Sequence, residues 1–236
     1  MEYAGAERKT RMKITTLDVH GIVPALHAMR NPMNSWDRTD TYIALPTVEK
    51  GDPDELVLYK CLDPKCVVVG PNDKELSLKL QKAGPEHCKH LRMVMVWADI
   101  EAPRYWWQEF DTYRQGVEKV SCSTMHKLTS RPITEDDFEF EKSNAKTWIN
   151  IRATVAVLND LIRLYQEEAR PDDREEVWRS LIQNLPQSYI QKRTVMMSYA
   201  ALRNIVRQRE GHKLREWKFF IDWARKLPES WMIFDE

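Results

Sequence analysis

Apolar residues recur along the chain with a helical period in some stretches and a strand-like alternation in others. The clearest helical period runs over residues 143–169, where apolar side chains three or four positions apart share one face of a helix. This period ends before Pro171, and a second amphipathic stretch follows over residues 172–184. We therefore predict two consecutive helices. The apolar face of the first consists of Trp148, Ile151, Val155, Leu158, Ile162 and Tyr165.

A shorter helix is predicted over residues 72–84, because both of its ends carry helix signals. Asn72 is a favourable N-cap with Glu75 three residues later, and Gly84 is the left-handed residue type that ends many helices. The apolar residues of this segment share one face, which we expect to be buried, and they are Leu76, Leu80 and Ala83.

The remaining periodic stretches predict further helices and a few strands. We expect helices over residues 20–31 (after Pro24), 103–116, 194–209 and 213–226. We expect strands over residues 12–19, 91–101 and 187–195, with shorter ones in LVLYKCL (56–62) and CVVV (66–69). We expect a loop or irregular helix over 117–128 and a turn capped by Thr134 over 134–138. A helix-rich chain with a few strands indicates an α+β fold.

The stretch APRYWWQEFDTYRQG (102–116) carries five large aromatic side chains within one predicted helix. Pro103 suits the first helical position and Gly116 suits the end. The helical stripe that we expect to face the core consists of Trp106, Phe110 and Tyr113. Asp111 and Arg114 are three positions apart, a spacing at which they can form an ion pair.

Composition limits the classes of function. Lysine plus arginine and aspartate plus glutamate both number 36, so the 236-residue chain has no net charge, which argues against strong binding to nucleic acid or anionic membranes. A local basic pocket remains compatible with this balance. The apolar runs are too short to cross a bilayer. The cysteines lack C-x-x-C spacing, so we predict reduced thiols in a cytoplasmic protein without a metal, and they are Cys61, Cys66, Cys88 and Cys122.

Binding of an anion would depend on side chains, because the sequence has only 7 glycines and contains neither a P-loop nor a G-x-G-x-x-G motif. The basic segment HCKHLR (87–92) has two readings, a solvated turn or an anion pocket. His126 is a candidate base toward Ser121 or Ser123, although no motif supplies an orienting carboxylate. A zinc site from Cys61, Cys66, His87 and Cys88 has the wrong spacing for standard zinc modules.

Three segments resemble the flavin-dependent thymidylate synthase family. Sequences of this family share roughly the motif H-x-[ST]-P-x-E-H, which is followed by a strand and then by A-P-x-x-x-W-R-Q-x-x-R-H-R. HCKHLRM (87–93), AP (102–103) and WQEFDTYR (107–114) fall in register with it, and residues 185–217 are similar to its closing segment. APRYWWQEFDTYR and SCSTMHKL are similar to a phage-associated branch. Residues 1–11 are polar and aperiodic, so we expect a flexible extension there. The resemblance implies one domain over residues 12–236, with a small, mostly antiparallel sheet flanked by several long helices.

The resemblance assigns residues that bind the cofactor, which in this family is FAD. His87 falls on the first motif histidine, Arg114 on the last arginine of R-H-R, and Asn204 on the asparagine of the closing helix. Lys89 and Arg92 replace the family's Ser/Thr and Glu, and we expect them to restore positive charge beside the flavin phosphates. A folate one-carbon donor and NADPH are the further cofactors that the resemblance implies.

The resemblance also assigns residues that bind the substrate, a pyrimidine deoxynucleotide such as dUMP. Arg209 falls on the arginine that meets the nucleotide phosphate, and Glu109 replaces the family's glutamine. Ser121 or Ser123 stands near the motif serine beside the uracil ring; the register of this loop is open.

Departures from the motifs leave two functions open. Thr112 and Tyr113 replace the first two residues of R-H-R, while Ser198 and Ala200 replace the N-x-R pair. The chain is predicted to be either a flavoprotein that modifies the base by one-carbon transfer or an inactive homologue that binds a nucleotide or a protein. The resemblance implies a homotetramer with sites between subunits, and exposed aromatic residues of 102–116 are candidates for the subunit interface.

Overall fold

The computed structural model describes residues 10–44, 66–140 and 144–234. The strands of these residues are β1 (Lys13–His20), β2 (Tyr42–Ile43), β3 (Val67–Val68), β4 (Met95–Pro103), β5 (Val117–Ser121) and β6 (Ile190–Ser198). The α-helices are α1 (Ile22–Ala28), α2 (Pro71–Ala83), α3 (Arg104–Phe110), α4 (Thr124–Lys127), α5 (Ala145–Glu167), α6 (Pro171–Asn184), α7 (Tyr199–Arg209) and α8 (Arg215–Ala224).

The main sheet has four strands in the order β1–β4–β6–β5, and β2 pairs with β3 in a separate two-stranded sheet. Backbone bonds at the two ends of β6 show antiparallel pairing, because partner numbers fall as residue numbers rise. The N–H of Arg104 donates to Tyr189 at 3.0 Å, while that of Tyr199 donates to Val94 at 2.9 Å. The predicted α+β fold, a small antiparallel sheet flanked by long helices, is confirmed.

The chain divides into two compact units. The first comprises Met1–Lys13, Ile100–Thr112 and Val120–Thr194. Its core is formed largely by α5 and α6 with the segment that precedes them, and its buried members are Leu128, Ile133, Phe138, Ile151, Leu158, Ile162, Leu181 and Leu185. The extension predicted over 1–11 lies mostly outside the described residues, but Thr10 and the backbone of Arg11 both donate to the carboxylate of Glu139.

The second unit comprises Ile14–Asp99, Tyr113–Lys119 and Val195–Glu236. Helix α8 contributes a row of rings to its core, because Trp217 and Phe220 are fully buried and their centroids lie 5.8 Å apart. The single domain over 12–236 stays a prediction, and the strand predicted at 56–62 lies outside the described residues.

Helix α2 is buried mainly through a face that lies about a quarter of a turn from the predicted one. Its buried residues are Asp73, Ser77 and Gln81, whereas Leu76 and Leu80 are half-buried and Ala83 is exposed. The predicted N-cap is also wrong. The helix begins at Pro71, and its first amides are capped from a distant loop by the carboxylate of Asp40, which accepts from the N–H groups of Asn72 and Asp73 at 2.8 and 3.0 Å.

Helix α3 is shorter than predicted, because it ends at Phe110 rather than at Gly116. The aromatic stripe is nevertheless buried, with Trp106 and Phe110 fully inaccessible and Tyr113 8% exposed. The ion pair that the spacing of Asp111 and Arg114 would allow does not form in the described part of the chain. Asp111 instead receives a bidentate pair from Arg193 of β6, at 2.9 and 3.0 Å.

The segment 117–128 is ordered differently from the loop or irregular helix that was expected. It forms the edge strand β5 followed by the short helix α4, whose first turn is capped by Ser123. The predicted cap at Thr134 is confirmed and forms a reciprocal capping box with Asp137. Helices α5 and α6 lie within two residues of their predicted bounds.

Candidate functional site

A cleft of about 740 Å³ lies in the first unit, where the start of β1, the end of β4, the segment after β5 and the start of β6 meet. We call it the basic cleft. Its basic side chains are Arg11, Lys13, Lys127, Arg131 and Lys192, and its carboxylates are Glu101, Asp136 and Asp137. The cleft therefore carries an excess of two positive charges in a chain whose net charge is zero.

Three of the five cations are held by carboxylates of the same cleft. Arg11 lies 3.0 Å from Asp136, and the Lys13 ammonium lies 3.7 Å from the Glu101 carboxylate. Arg131 makes a bidentate pair with Asp137. Burial alone would raise the pKa of Asp137, but hydrogen bonds from Arg131 and Thr134 outweigh it and lower that pKa, so the pair stays charged.

The other two basic side chains of the cleft belong to Lys127 and Lys192, which are both exposed. Lys127 has no carboxylate partner among the described residues, so its ammonium is available to an anion. The phenol of Tyr189 also lines the cleft, and burial followed by the charge of Asp137 raises its pKa. It is therefore a neutral hydroxyl group that can donate a hydrogen bond.

Ser123 lies in the basic cleft with its hydroxyl group at the start of α4. Its Oγ accepts the backbone N–H of His126 at 3.2 Å, which leaves its hydroxyl proton for another acceptor. The expected role of His126 as a base is not supported, because within the described part of the chain its imidazole bonds neither Ser121 nor Ser123. The contact between His126 and Ser123 is through the backbone and caps the helix.

A second cavity of about 1090 Å³ lies in the second unit, between residues 28–38, helix α2 and residues 86–93. We call it the methionine cavity. Its apolar side chains include Met29, Met33, Leu76, Leu80 and Met93. The buried guanidinium of Arg30 is also part of its wall, with Nε 2.6 Å from the carboxylate of Asp73.

His90 in the wall of the methionine cavity belongs to a buried chain of hydrogen bonds. Its side chain is 3% exposed, and Nε2 lies 2.8 Å from Oγ of Ser77. The amide nitrogen of Gln81 donates to the same oxygen at 3.1 Å, and Arg203 donates to the amide oxygen of Gln81. Burial, followed by the charge of Arg203, lowers the pKa of His90 to about 4, so the imidazole is neutral.

The structure brings two of the five residues expected to bind FAD to one place. His87 and Lys89 are exposed at the methionine cavity. Arg92, Arg114 and Asn204 are also exposed but line neither of the two cavities. The amide oxygen of Asn204 accepts from Gln208 on the next turn of α7 at 3.0 Å.

Of the residues expected to bind the substrate, only Ser123 lines either cavity. Glu109 and Ser121 lie outside both. Arg209 is occupied by aromatic residues of its own unit. Its Nε donates to the Tyr113 hydroxyl at 2.8 Å, and its guanidinium lies 4.5 Å from the ring centre of Trp217.

The residues that the sequence did not reveal are the five basic residues of the basic cleft and the polar face of α2. The basic residues come from three separate segments of the chain, so no local motif marks them. The spacing of Asp73, Ser77 and Gln81 was visible, but a polar stripe at helical spacing ordinarily indicates the solvent face.

Within the ranges 10–44, 66–140 and 144–234, no group of three histidine, cysteine, aspartate or glutamate residues is arranged to hold a metal ion. Cys61 lies outside these ranges, and Cys88 donates to the carbonyl groups of Leu80 and Gly84. No helix in the described part of the chain has the length and apolar character needed to cross a membrane.

Solved structures with this architecture are known. Two crystal structures of thymidylate synthase X from Helicobacter pylori, a flavin-dependent thymidylate synthase, each with FAD and dUMP, match it with a TM-score of 0.64 and 17% identity. The match covers 95% of this chain and 97% or 98% of the other. No protein-family model and no curated protein sequence matches the chain. The likeness shows that the chain has the thymidylate synthase X fold.

Proposed function

We propose that this chain is a divergent flavin-dependent thymidylate synthase-like protein of a phage-associated branch, which binds a pyrimidine deoxynucleotide and FAD in the cytoplasm. The observation that carries the proposal is the basic cleft, a local excess of positive charge on a fold whose solved examples hold dUMP and FAD. In our proposal the nucleotide phosphate binds in this cleft.

The chemistry of the cleft suits a phosphate monoester. The charges of Arg11, Arg131 and Lys13 are held in place by carboxylates, so the cleft is ordered before an anion enters. Lys127 then supplies a positive charge without a carboxylate partner within the described residues, and Ser123 supplies a hydroxyl proton. Charge-assisted hydrogen bonds of this type are about twice as strong as neutral ones.

The methionine cavity fits a ring system of FAD. Its wall combines soft apolar side chains such as Met29 and Met93 with a buried polar atom, Nδ1 of His90, that has no hydrogen-bond partner among the described residues. His87 and Lys89, which the resemblance assigns to FAD, line the same cavity.

Bound FAD would supply the redox chemistry, while the chain would bind and orient the reactants. In the enzyme that we propose, a folate supplies the one-carbon group and NADPH supplies the electrons. The protein itself would hold the phosphate in the basic cleft, and Ser123 would donate a hydrogen bond to it. The phenol of Tyr189 stays protonated and can donate to the same ligand.

Removing the two exposed lysines of the cleft is expected to weaken binding of dUMP. We expect the double variant Lys127→Ala and Lys192→Ala to bind dUMP about 10-fold to 100-fold more weakly in calorimetric titration, since each lysine provides a charge-assisted contact. Deoxyuridine lacks the phosphate, so its affinity should not change.

The matched control replaces Lys218 and Lys226, two exposed lysines outside both cavities, and so removes the same amount of charge. We expect this control to bind dUMP within about 2-fold of the unmodified protein, because distant surface charges are screened by salt. Equal losses in the two double variants would show that the cleft does not bind the phosphate.

An inactive nucleotide-binding homologue is the second candidate function, and the surroundings of Tyr113 favour it. Thr112 and Tyr113 stand where the family has an arginine and a histidine, and Tyr113 is 8% exposed with its hydroxyl group bonded to Arg209. Oxidation of NADPH that requires both dUMP and a folate donor would identify the enzyme. Binding of dUMP without that oxidation would identify the inactive homologue.

We propose further that the protein is a homotetramer whose sites are completed by neighbouring subunits. The predicted interface at 102–116 needs correction, because Trp106, Trp107, Phe110 and Tyr113 are buried within the chain. Helix α5 instead exposes an apolar stripe, whose residues are Ile149 (66% exposed), Val157 (49%) and Leu164 (44%). Their spacing keeps them on one face of a helix with about 3.6 residues per turn.

Replacing Ile149, Val157 and Leu164 together by serine is expected to dissociate the tetramer. The change removes apolar area from the contact without disturbing Leu158, which faces the core of the first unit. Sedimentation velocity should show a tetramer for the unmodified chain and smaller species for the variant. A monomeric unmodified chain would contradict the proposal.

A further inference from the structure

The orientation of the Gln81 side chain is fixed by Arg203. A guanidinium group only donates hydrogen bonds, so the atom of Gln81 that faces Arg203 has to be the amide oxygen. The amide nitrogen of Gln81 therefore points to Ser77 and donates to Oγ at 3.1 Å. The hydrogen bonds from Arg203 to Gln81 and from Gln81 to Ser77 therefore have only one possible direction.

The donor and the acceptor of the hydrogen bond between Ser77 and His90 follow from this direction. Ser77 Oγ already accepts from Gln81, and its hydroxyl proton has one acceptor within the described residues, Nε2 of His90 at 2.8 Å. A nitrogen that accepts a hydrogen bond carries no proton, and the neutral imidazole carries one in total. The proton of His90 is therefore on Nδ1.

The other tautomer would satisfy fewer groups. A proton on Nε2 would leave both the Ser77 hydroxyl proton and the lone pair of Nδ1 without a partner in the described part of the chain. The Nδ1–H tautomer leaves only one donor unsatisfied. Because every unsatisfied buried polar group destabilises the folded state, the Nδ1–H form is the stable one.

The geometry points to His90 as a specificity-determining hydrogen-bond donor, whose Nδ1–H binds an acceptor atom on the edge of a heteroaromatic ring in the methionine cavity. Nδ1 belongs to a side chain that is 97% buried and forms part of the cavity wall, and it has no partner among the described residues. The inference deepens the proposed function and rests on it in so far as FAD is the ligand.

The charges of the methionine cavity favour a ring rather than a second phosphate site. Arg30 is neutralised by Asp73 and Lys79 by Glu75, 2.6 Å away. The other charged residues of the wall also balance in sign, and they are Arg38, Lys89, Asp37 and Glu86. The wall also has neutral polar side chains such as Asn31, Ser35 and Asn72, and its apolar part, which includes Met29, Met33 and Met93, suits the face of a planar ring.

Adenine and isoalloxazine, the two rings of FAD, both have acceptor atoms on the ring edge. Two probes therefore test which of the two rings binds in the methionine cavity. ADP carries the first ring and FMN the second. The variants His90→Asn and His90→Gln form a matched pair, because the asparagine amide reaches the position of Nδ1 and the glutamine amide that of Nε2. We expect the ring that occupies the cavity to bind His90→Gln about 10-fold more weakly and His90→Asn within about 2-fold.

The tautomer can be measured without any ligand. In ¹⁵N spectra of the labelled full chain, Nδ1 of His90 should be protonated and Nε2 bare. We expect Gln81→Glu to reverse this state, because a carboxylate accepts the Ser77 proton and Ser77 then accepts from Nε2. The same variant should weaken binding of the ring about 10-fold.

The outcomes separate this inference from the proposed function. A proton on Nε2 in the unmodified protein overturns the inference, and so does equal affinity of ADP and FMN for the unmodified and His90→Gln proteins. Both results leave binding of dUMP and FAD standing. If the unmodified protein binds none of FAD, ADP and FMN, the inference and the flavin part of the proposed function fail together.

Discussion

Replacing Asp73 by alanine is expected to lower the free energy of unfolding by about 3–5 kcal/mol, because it leaves the buried guanidinium of Arg30 without its counter-charge. Arg30 is 3% exposed, and its Nε and Nη2 both lie 2.6 Å from one oxygen of Asp73. The other oxygen accepts from the Thr39 hydroxyl at 2.7 Å and from the backbone N–H groups of Asp40 and Thr41. The substitution therefore leaves several donors unsatisfied at once.

The matched control for Asp73→Ala is Glu75→Gln on the same helix. Glu75 also pairs with a cation, Lys79, but both side chains are exposed. Surface pairs of this kind contribute little to stability, because water and salt screen the attraction. Urea unfolding of the three proteins should give a large loss for Asp73→Ala and almost none for Glu75→Gln. Similar losses would contradict the role of Asp73 as a buried anchor.

Acid is expected to destabilise the protein through His90. Its pKa is about 4 in the folded chain against 6.5 for the unperturbed group, so between these values the unfolded state binds a proton that the folded state does not. Stability should therefore fall as pH falls from about 6.5 to about 4, by on the order of 3 kcal/mol at 1.36 kcal/mol for each unit of pKa shift.

The variant His90→Asn isolates this contribution, because asparagine does not titrate. We expect the difference in unfolding free energy between about pH 7 and about pH 4.5 to be smaller in the variant by on the order of 2 kcal/mol. The remaining histidines and carboxylates are common to both proteins and cancel in the comparison. An identical pH dependence in the two proteins would show that His90 is not a buried neutral group in the native state.

Local pattern was sufficient for the long helices and insufficient for α2. In α5, residues such as Ile151, Leu158 and Ile162 bury one apolar face, and the helical period alone reveals it. In α2 the buried face is polar, because Asp73, Ser77 and Gln81 meet partners that come from distant parts of the sequence. Periodicity cannot show which polar residues have buried partners.

The candidate site was predicted even less completely, because its residues converge only in the folded chain. The resemblance led to the correct fold, and three of the residues that it assigned, Ser123, His87 and Lys89, line cavities in the structure. The alignment with the family motif did not reveal that Arg209 donates a hydrogen bond to Tyr113 and lies over the ring of Trp217. The basic cleft depends on Lys127, Lys192 and other cations that are far apart in sequence, so it becomes visible only in three dimensions.

A crystal structure of the full chain with dUMP and FAD tests the central claim most directly. We predict the nucleotide phosphate in the basic cleft, within hydrogen-bonding distance of Lys127 or Lys192, and a ring of FAD in the methionine cavity. A phosphate bound outside the basic cleft, with Lys127 and Lys192 still facing solvent, would contradict the account.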